Sequence, residues 1–312
     1  LDRVIDDGDY VEPEYYVPII PMILVNGCSA GIGTGWSCSI PSFNPEDIIN
    51  NIKHWLKKGL DKMPELMPWY RGFTGAIKKV TSTKYKTIGK LEKTMKRKQE
   101  IATITELPIN TWTDKHKEFL EGLLEDKEIK GLQNYSTPRE VNFVITQSDD
   151  GVNCTIENMK LSSYLYTSNM VLFTENHKIQ KFKTINEIID YFCVKRLELY
   201  KERKQHQIKQ IESDLKILTN KIRFLDEIIT EKIEIFKKDE RDIDILLTES
   251  NYDRINDTFD YLLNMNIRSF TNDKLEQFRS EHIKLSELLE KIKEISEKQM
   301  WINDLNDFLK EY

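Results

Sequence analysis

The chain has 312 residues, of which 39% are hydrophobic and 31% are charged, and its formal net charge is −6. This length is enough for two or three units with their own hydrophobic cores. No stretch reaches the roughly 18 to 20 apolar residues of a membrane span, and the acidic N-terminus lacks the layout of a secretion signal. We therefore expect a soluble intracellular protein, and because the sequence begins without Met, a piece of a longer one.

The charges are distributed unevenly along the chain. Residues 51–100 contain fourteen Lys or Arg and four Asp or Glu, whereas residues 226–262 contain twelve acidic and five basic residues. The first region suits a polyanionic partner such as nucleic acid, and the second would repel one. A solvated lysine-rich surface without a partner is the alternative interpretation of the basic region.

The cysteines and histidines show neither a disulfide framework nor a metal-binding pattern. No Cys-x-x-Cys pair and no zinc-ligand spacing occur, so we expect no metal site and four reduced thiols: Cys28, Cys38, Cys154 and Cys193. The acidic run Asp6-Asp7-Gly8-Asp9 resembles a carboxylate cluster, but without a partner motif an exposed turn is the better interpretation.

The first predicted elements are an extended segment over residues 10–25, a glycine-rich loop and a helix. Prolines punctuate the segment, which we expect to end in a buried strand or turn. The loop, VNGCSAGIGTGWSCSIPSFNP at 25–45, leads into the helix. Asn44 is the predicted N-cap of that helix, Pro45 occupies its first position, and Gly59 ends it.

The spacing of the loop glycines argues against nucleotide binding. A dinucleotide-binding loop needs G-x-G-x-x-G opening directly into a helix, but here Gly31, Gly33 and Gly35 alternate and the helix begins nine residues after Gly35. The phosphate-binding motif G-x-x-x-x-G-K-[ST] is absent.

Residues 70–190 alternate short β-rich segments with polar turns. The segments are GAIKKVT, KYKTIGKL, IATITEL, VNFVIT, SNMVLF and KIQKFK, and one helix, at about Thr113 to Leu124, interrupts them. This pattern is typical of an α+β domain.

From Asn186 onward the apolar period becomes that of a coiled coil. The first seam contains Ile208, Ile211, Leu215, Leu218, Ile222, Leu225 and Ile229, and the second contains Leu275, Phe278, His282, Leu285, Leu289 and Ile292. About forty acidic residues with apolar helical pieces separate the two seams. The sequence therefore predicts an α+β fold in which a β-rich domain precedes a long antiparallel coiled coil with a small helical dimerisation head.

Several long motifs resemble eukaryotic-type DNA topoisomerase II, a type IIA topoisomerase family that includes enzymes of large DNA viruses. They occur in the family's order over nearly the whole chain: EPEYYVPIIPMILVNG, GIGTGWSCSIPSFNPEDIINNIKHWL, PWYRGFTGAI, ITELPINTWT, NMVLF, IQKFKTINEIIDYFCVKRLELYKERK, FDYLLNMNIRSFT and WINDLNDFLKEY. The glycine loop is one residue longer than the family's usual eukaryotic form.

The resemblance implies a division of the chain by role. Residues 1–28 would end a winged-helix domain, 29–190 would form the DNA-bending tower, 191–230 and 272–300 the stalk, and 231–271 with 301–312 the dimerisation gate. The family passes one DNA duplex through a transient double-strand break in another as a homodimer. In this family Trp301, Leu305 and Phe308 would form the dimer contact or the core of the head.

The same resemblance implies that this chain holds no catalytic residue. The family's catalytic Arg-Tyr pair precedes the EPEYYVP segment, and none of the thirteen tyrosines here follows an arginine. We expect the full enzyme to use Mg²⁺ and ATP at sites that are absent from these residues. Its place of action would be a nucleus, or a cytoplasmic replication site for a viral enzyme.

For the loop, the resemblance implies a DNA wedge. An isoleucine that precedes a proline would insert between base pairs and bend the DNA, and this sequence offers Ile40 followed by Pro41. The alternative is that Ile40 packs beneath the helix that begins at Asn44.

The predicted DNA contacts combine small loop residues with basic side chains. Thr34 and Ser37 can donate to phosphate oxygens, and Trp36 is a packing anchor or a stacking platform. The full set is Gly33, Thr34, Gly35, Ser37, Lys53, Arg71, Lys78, Lys79, Ser168, Asn169, Met170, Lys178 and Lys181, although Met170 is also compatible with an ordinary buried hairpin.

Two other functions remain open from the sequence. The chain could be a non-enzymatic coiled-coil dimeriser with a basic DNA-binding domain, because a generic electrostatic binder needs the same charges. A nucleotide-binding enzyme is the third hypothesis, and the glycine spacing argues against it.

Overall fold

The computed structural model describes residues 3–13, 16–96, 99–235, 238–266 and 270–312, and their fold is α+β as predicted. Contacts divide the chain into two compact units, Leu1–Lys195 with Leu309–Tyr312 and Arg196–Phe308. Within the described ranges, no helix combines the length and apolar character that a membrane crossing requires.

The first unit contains small antiparallel sheets. Its strands are β1 (Arg3–Asp6), β2 (Asp9–Pro13), β3 (Cys28–Gly33), β4 (Trp36–Ile40), β5 (Ala76–Thr81), β6 (Lys84–Ile88), β7 (Lys90–Lys96), β8 (Gln99–Glu106), β9 (Ile129–Asn134), β10 (Phe143–Gln147), β11 (Ser162–Tyr166), β12 (Met170–Phe173) and β13 (Ile179–Phe182). The larger sheets have the orders β7-β8-β10-β9 and β11-β6-β5, and the hairpins β1-β2, β3-β4 and β12-β13 form two-stranded sheets. The predicted strand segments are confirmed, and β1, β9 and β11 are additional.

The glycine-rich loop is a β-hairpin. Strands β3 and β4 pair from Cys28↔Ile40 to Gly33↔Trp36, and Thr34-Gly35 forms the two-residue turn. Gly35 has φ of +83°, a conformation that most other residues adopt only with strain. A register shift between Cys28 and Gly31 places one extra residue in β3, which is a β-bulge.

The helices of the first unit are α1 (Met22–Asn26), α2 (Pro45–Lys58) and α3 (Thr113–Glu125). The predicted strand or turn near residue 25 is therefore a short helix. The prediction for α2 is confirmed, because the Asn44 side chain accepts a hydrogen bond from the Glu46 N–H and Gly59 is the C-cap. One face of α2 is buried through Ile48, Ile49, Ile52 and Leu56.

A hydrophobic core lies between the four-stranded sheet and α3. It includes Ile104, Leu120, Phe143 and Ile145, all fully buried. This packing fixes the sheet in the middle of the unit and leaves the three-stranded sheet and the two later hairpins to build the candidate site.

The second unit contains the predicted antiparallel helix pair. Its elements are the part of α4 (Ile185–Ile229) from Arg196 on, α5 (Glu240–Glu249), α6 (Asp260–Leu263), α7 (Asn272–Glu294) and α8 (Glu297–Glu311) up to Phe308. Contacts pair Glu212 with Lys293 and Asp226 with Arg279, so the two seams run in opposite directions. His282 lies on this seam, with its Nε2 atom 3.1 Å from Thr219 Oγ1.

The head beyond the helix pair has a core of its own. Phe224, Leu247, Phe259 and Leu262 are buried there, and Tyr252 stacks edge-on against Phe224. The Tyr252 hydroxyl donates to Glu227 at 2.6 Å.

The assignment of residues 301–312 to the head is wrong. Trp301 stacks on Tyr200 of α4 at 5.6 Å between ring centroids, and the Tyr200 hydroxyl donates to Asp304 at 2.6 Å. These contacts fix α8 near the start of the stalk, because α7 returns antiparallel to α4 and ends there.

Candidate nucleic-acid interface

The structure corrects the predicted wedge residue. Ile40 is 2% exposed and Pro41 is buried, so neither is accessible to DNA, and the alternative interpretation of core packing is right. Ile32, in contrast, is 86% exposed. Side chains alternate along a hairpin, and Ile32 pairs with exposed Ser37, whereas Ile40 shares the inward face of β4 with Cys38. The exposed isoleucine of this hairpin is therefore Ile32.

Small residues keep the tip of the hairpin narrow. A Cβ atom at Gly33 would lie 2.4 Å from Trp36 Nε1, so the indole ring occupies the space next to this glycine. The same indole meets Phe173 edge-on at 5.3 Å between centroids. Trp36 is thus a packing anchor, and Thr34 and Gly35 remain exposed at the turn.

The hairpin β12-β13 lies directly beside β4. The Ser39 N–H donates to the Asn169 carbonyl at 2.8 Å, and Asn169 Nδ2 donates to Ser37 Oγ at 2.9 Å. Two predicted DNA contacts, Ser37 and Asn169, are therefore brought together. We call β3-β4 and β12-β13 the hairpin pair.

Met170 is the second correction. Its side chain is fully buried, because it occupies the inward face at the start of β12. The neighbouring residue Ser168 is exposed, as are Lys178 and Lys181 on the outer side of this hairpin. Polar and basic groups of the hairpin pair thus face solvent around Ile32, and the methionine does not.

The remaining predicted basic contacts differ in availability. Lys78 is exposed on β5, while the neighbouring Lys79 forms an ion pair with Glu65 at 2.5 Å. The Arg71 guanidinium lies over the ring of Tyr312, 4.7 Å from its centroid. Lys53 is half-buried on α2.

The sequence analysis missed a basic and aromatic surface on the three-stranded sheet. Tyr164 of β11, Lys86 of β6 and Lys78 of β5 lie side by side in register. The Lys84 ammonium lies 3.8 Å from the ring centroid of Tyr164, and Tyr166 is also exposed. We call these residues the sheet face. The alternation in KYKTI and SSYLY was the available signal, since alternate residues of a strand share one face.

The predicted gate residues do not form an exposed surface. Trp301 and Leu305 are fully buried, and Phe308 is half-buried. Their predicted role as a dimer contact is therefore wrong for Trp301 and Leu305, because the stripe packs inside its own chain. Burial, followed by the hydrogen bond to Asp304, raises the pKa of Tyr200 in this cluster to about 12.

Across the described ranges, no group of three or more His, Cys, Asp or Glu side chains is placed to hold a metal ion. The most perturbed histidine, His116, is a core residue that contacts Phe119 and Phe143. Burial, with a smaller effect of Lys160, lowers its pKa to about 4. These aromatic neighbours indicate a packing role for the histidine.

A DNA-gate fold is what the family comparison identifies. The family model for the A-type chain of DNA gyrase/topoisomerase IV matches residues 1–306. The chain therefore belongs to this family.

Individual relatives narrow the comparison to one kind of member. The chain is 39% identical to a DNA topoisomerase 2 of Invertebrate iridescent virus 6, over 94% of this chain and 26% of the relative. It is 33% identical to the DNA topoisomerase 2 of Plasmodium falciparum, over 96% and 24%. A crystal structure of the Plasmodium falciparum topoisomerase II DNA-binding, cleavage and re-ligation domain superposes with a TM-score of 0.85 at 32% identity, covering all of this chain and 47% of that one. The chain thus spans about a quarter of the length of these curated relatives.

Proposed function

We propose that this chain supplies the DNA-binding, DNA-bending and dimerising part of an ATP-dependent type IIA DNA topoisomerase. Such an enzyme passes one duplex through a transient double-strand break in another and thereby relaxes, decatenates or unknots DNA. Family membership and the relatives named DNA topoisomerase 2 support this function over a non-enzymatic dimeriser. The place of action would be a nucleus or a viral replication site.

The observation that carries the proposal is Ile32 at the tip of the hairpin pair. A branched apolar side chain that is 86% exposed is costly in water, since it gains nothing from burial in its own core. Insertion between two base pairs would bury it, and the few kcal/mol spent on unstacking are offset by the contacts that bent DNA makes. Ile32 is thus the proposed wedge.

Polar groups around Ile32 would hold the phosphates on either side of the bend. Thr34, Ser37, Ser168, Lys178 and Lys181 are all exposed on the hairpin pair. Hydroxyls and ammonium groups bind phosphate oxygens without reading sequence, which suits an enzyme that acts on many DNA sites.

The sheet face would contact a more distant part of the duplex. Lys78, Lys84 and Lys86 supply positive charge there, and tyrosine hydroxyls can donate to phosphates. Lys53 and Arg71 remain proposed contacts, whereas Lys79 is the weakest candidate because Glu65 already neutralises it.

The described residues do not fit the Mg²⁺ and ATP that the full enzyme is expected to use. They contain no cluster of metal ligands, and the glycines form a hairpin turn rather than a phosphate-binding loop at a helix N-terminus. We propose that strand cleavage and ATP hydrolysis use residues outside this chain.

The experiment compares the wild type with Ile32→Ala in the full-length protein. Energy transfer between dyes at the two ends of a duplex reports the bend, and fluorescence anisotropy reports affinity. We expect the bend to be largely lost while affinity falls less than about tenfold, because the phosphate contacts remain.

Met95→Ala is the matched control, since Met95 is also an exposed apolar residue, 71% accessible, on β7. It should leave the bend unchanged. An unaltered bend in Ile32→Ala would overturn the wedge, and detectable nucleotide binding to this chain would favour the third hypothesis.

A further inference from the structure

Two cysteines meet at the base of the hairpin that carries Ile32. Cys28 begins β3 and Cys38 lies near the end of β4, and both are free thiols. The Cys28 thiol donates to the Cys38 carbonyl, with 3.7 Å between sulfur and oxygen. The two side chains therefore belong to neighbouring positions of adjacent strands.

The β-bulge and Gly31 bring the two thiols to the same side. A Cβ atom at Gly31 would lie 2.8 Å from Cys28 Sγ and 3.4 Å from Cys38 Cβ. The Cys28 sulfur thus occupies space beside Cys38 that a side chain at position 31 would fill. The extra residue in β3 produces this arrangement, because Cys28 itself pairs with Ile40.

We propose that Cys28 and Cys38 form a reversible disulfide that braces the base of the Ile32 hairpin, so that this chain carries a redox modification site. The oxidant would be a peroxide. The proposal goes beyond DNA binding, since it concerns the covalent state of the hairpin whether or not DNA is bound.

The two thiols differ in the way that such a reaction requires. Cys28 is half-exposed, whereas Cys38 is 4% exposed and burial raises its pKa. The Cys28 thiolate would attack the peroxide O–O bond, which gives a sulfenic acid and one water. The Cys38 thiolate would then attack the Cys28 sulfur, forming the S–S bond and releasing the second water. Two thiols are oxidised and one peroxide is reduced.

The bond would close a short loop that contains the hairpin tip. Such a closure restricts the opened ensemble of the loop, so local opening becomes rarer. Amide hydrogens of the hairpin, including those of Ile32 and Ser37, should therefore exchange more slowly in the oxidised protein.

The test uses the full-length protein treated with hydrogen peroxide, then denatured, alkylated and digested for mass spectrometry. We expect a peptide pair joined through Cys28 and Cys38, 2 Da lighter than the two reduced peptides and released by dithiothreitol. Hydrogen exchange of the hairpin amides should slow by about tenfold or more in the oxidised sample.

Cys28→Ser should abolish both effects, and Cys154→Ser, which removes a buried thiol elsewhere, should preserve them. Oxidation that stops at a sulfenic or sulfinic acid on Cys28 would overturn the proposal, as would unchanged exchange after bridging. Neither readout depends on DNA, so a failure of the wedge would leave this result standing, and the reverse also holds.

Discussion

At the scale of single residues, two isoleucines of one hairpin have opposite environments. Ile32 and Ile40 are both branched and apolar, and both lie among glycines, serines and a proline in the sequence. Their positions on the alternating faces of the hairpin separate them, since one is paired with Ser37 and the other is enclosed by the core.

This contrast predicts opposite effects on stability. Ile40→Ala should lower the free energy of unfolding by about 2–5 kcal/mol, because it leaves a cavity in a packed site. Ile32→Ala should change it by less than about 0.5 kcal/mol, as expected for an exposed position. Chemical denaturation monitored by circular dichroism measures both, and equal losses in the two variants would contradict the assignment.

His116 predicts a pH dependence of stability. Because its pKa falls from 6.5 to about 4 on folding, the unfolded chain binds a proton between these pH values that the folded chain does not bind. Stability due to this residue is complete above pH 6.5 and declines as the pH falls toward 4, by about 3 kcal/mol at most. Among the described residues, its Nε2 atom has no hydrogen-bond partner to offset that loss.

Denaturation curves of the wild type and His116→Leu at pH 7 and pH 4.5 provide the test. The difference in unfolding free energy between the two pH values should be smaller in the variant. Equal pH dependence in both proteins would show that the histidine titrates normally in the fold.

At the scale of elements, the junction between α7 and α8 depends on a lysine of α4. The Lys204 ammonium donates to the carbonyls of Lys293 and Ile295, at 3.1 and 2.7 Å, and its side chain is only 15% exposed. These carbonyls lie at the C-terminus of α7, where helical partners are lacking and a cation is favoured.

Lys204→Met should therefore destabilise the protein by about 2 kcal/mol while preserving most of the apolar packing of the stem. Lys209→Met, at an exposed position on the same helix, is the control and should have little effect. Thermal unfolding of both variants tests this, and a neutral Lys204→Met would show that water replaces the lysine at these carbonyls.

The sheet face predicts a difference between two adjacent lysines of β5. Lys78→Gln should reduce the slope of log affinity for DNA against log salt concentration by about 0.9, the value for one phosphate contact. Lys79→Gln should reduce it less, because Glu65 already holds that ammonium. Binding titrations from low to moderate salt measure both slopes, and the reverse order would exclude the sheet face as the contact.

At the scale of the whole molecule, self-association is expected to use the head rather than α8. Trp301 and Leu305 are buried, whereas Ile245 on α5 is 56% exposed and flanked by the acidic residues Asp242 and Asp244. An exposed apolar residue in a region that repels DNA suits a contact with a second copy.

Ile245→Asp should shift the protein from dimer to monomer in sedimentation at tens of micromolar. Ile283→Asp, at an exposed apolar position on α7, should remain dimeric. A monomeric wild type at these concentrations would contradict the proposed dimer, and a dimeric Ile245→Asp would place its contact elsewhere.

The sequence by itself determined the features that depend on local chemistry. The caps of α2, the strand alternation, the heptad seams and the α+β class all follow from side-chain periods and backbone preferences within about ten residues. The long family motifs likewise determined the family.

Only the tertiary structure decided which side chains remain available. The exposure of Ile32, the burial of Ile40 and Met170, and the pairing of Lys79 with Glu65 depend on strand register and on neighbours distant in sequence. The position of α8 was decided in the same way, because the stripe of Trp301, Leu305 and Phe308 fits equally well on a dimer face or on α4. The contact with Tyr200 distinguishes them, since a buried apolar stripe is stabilised by whichever surface the chain brings next to it.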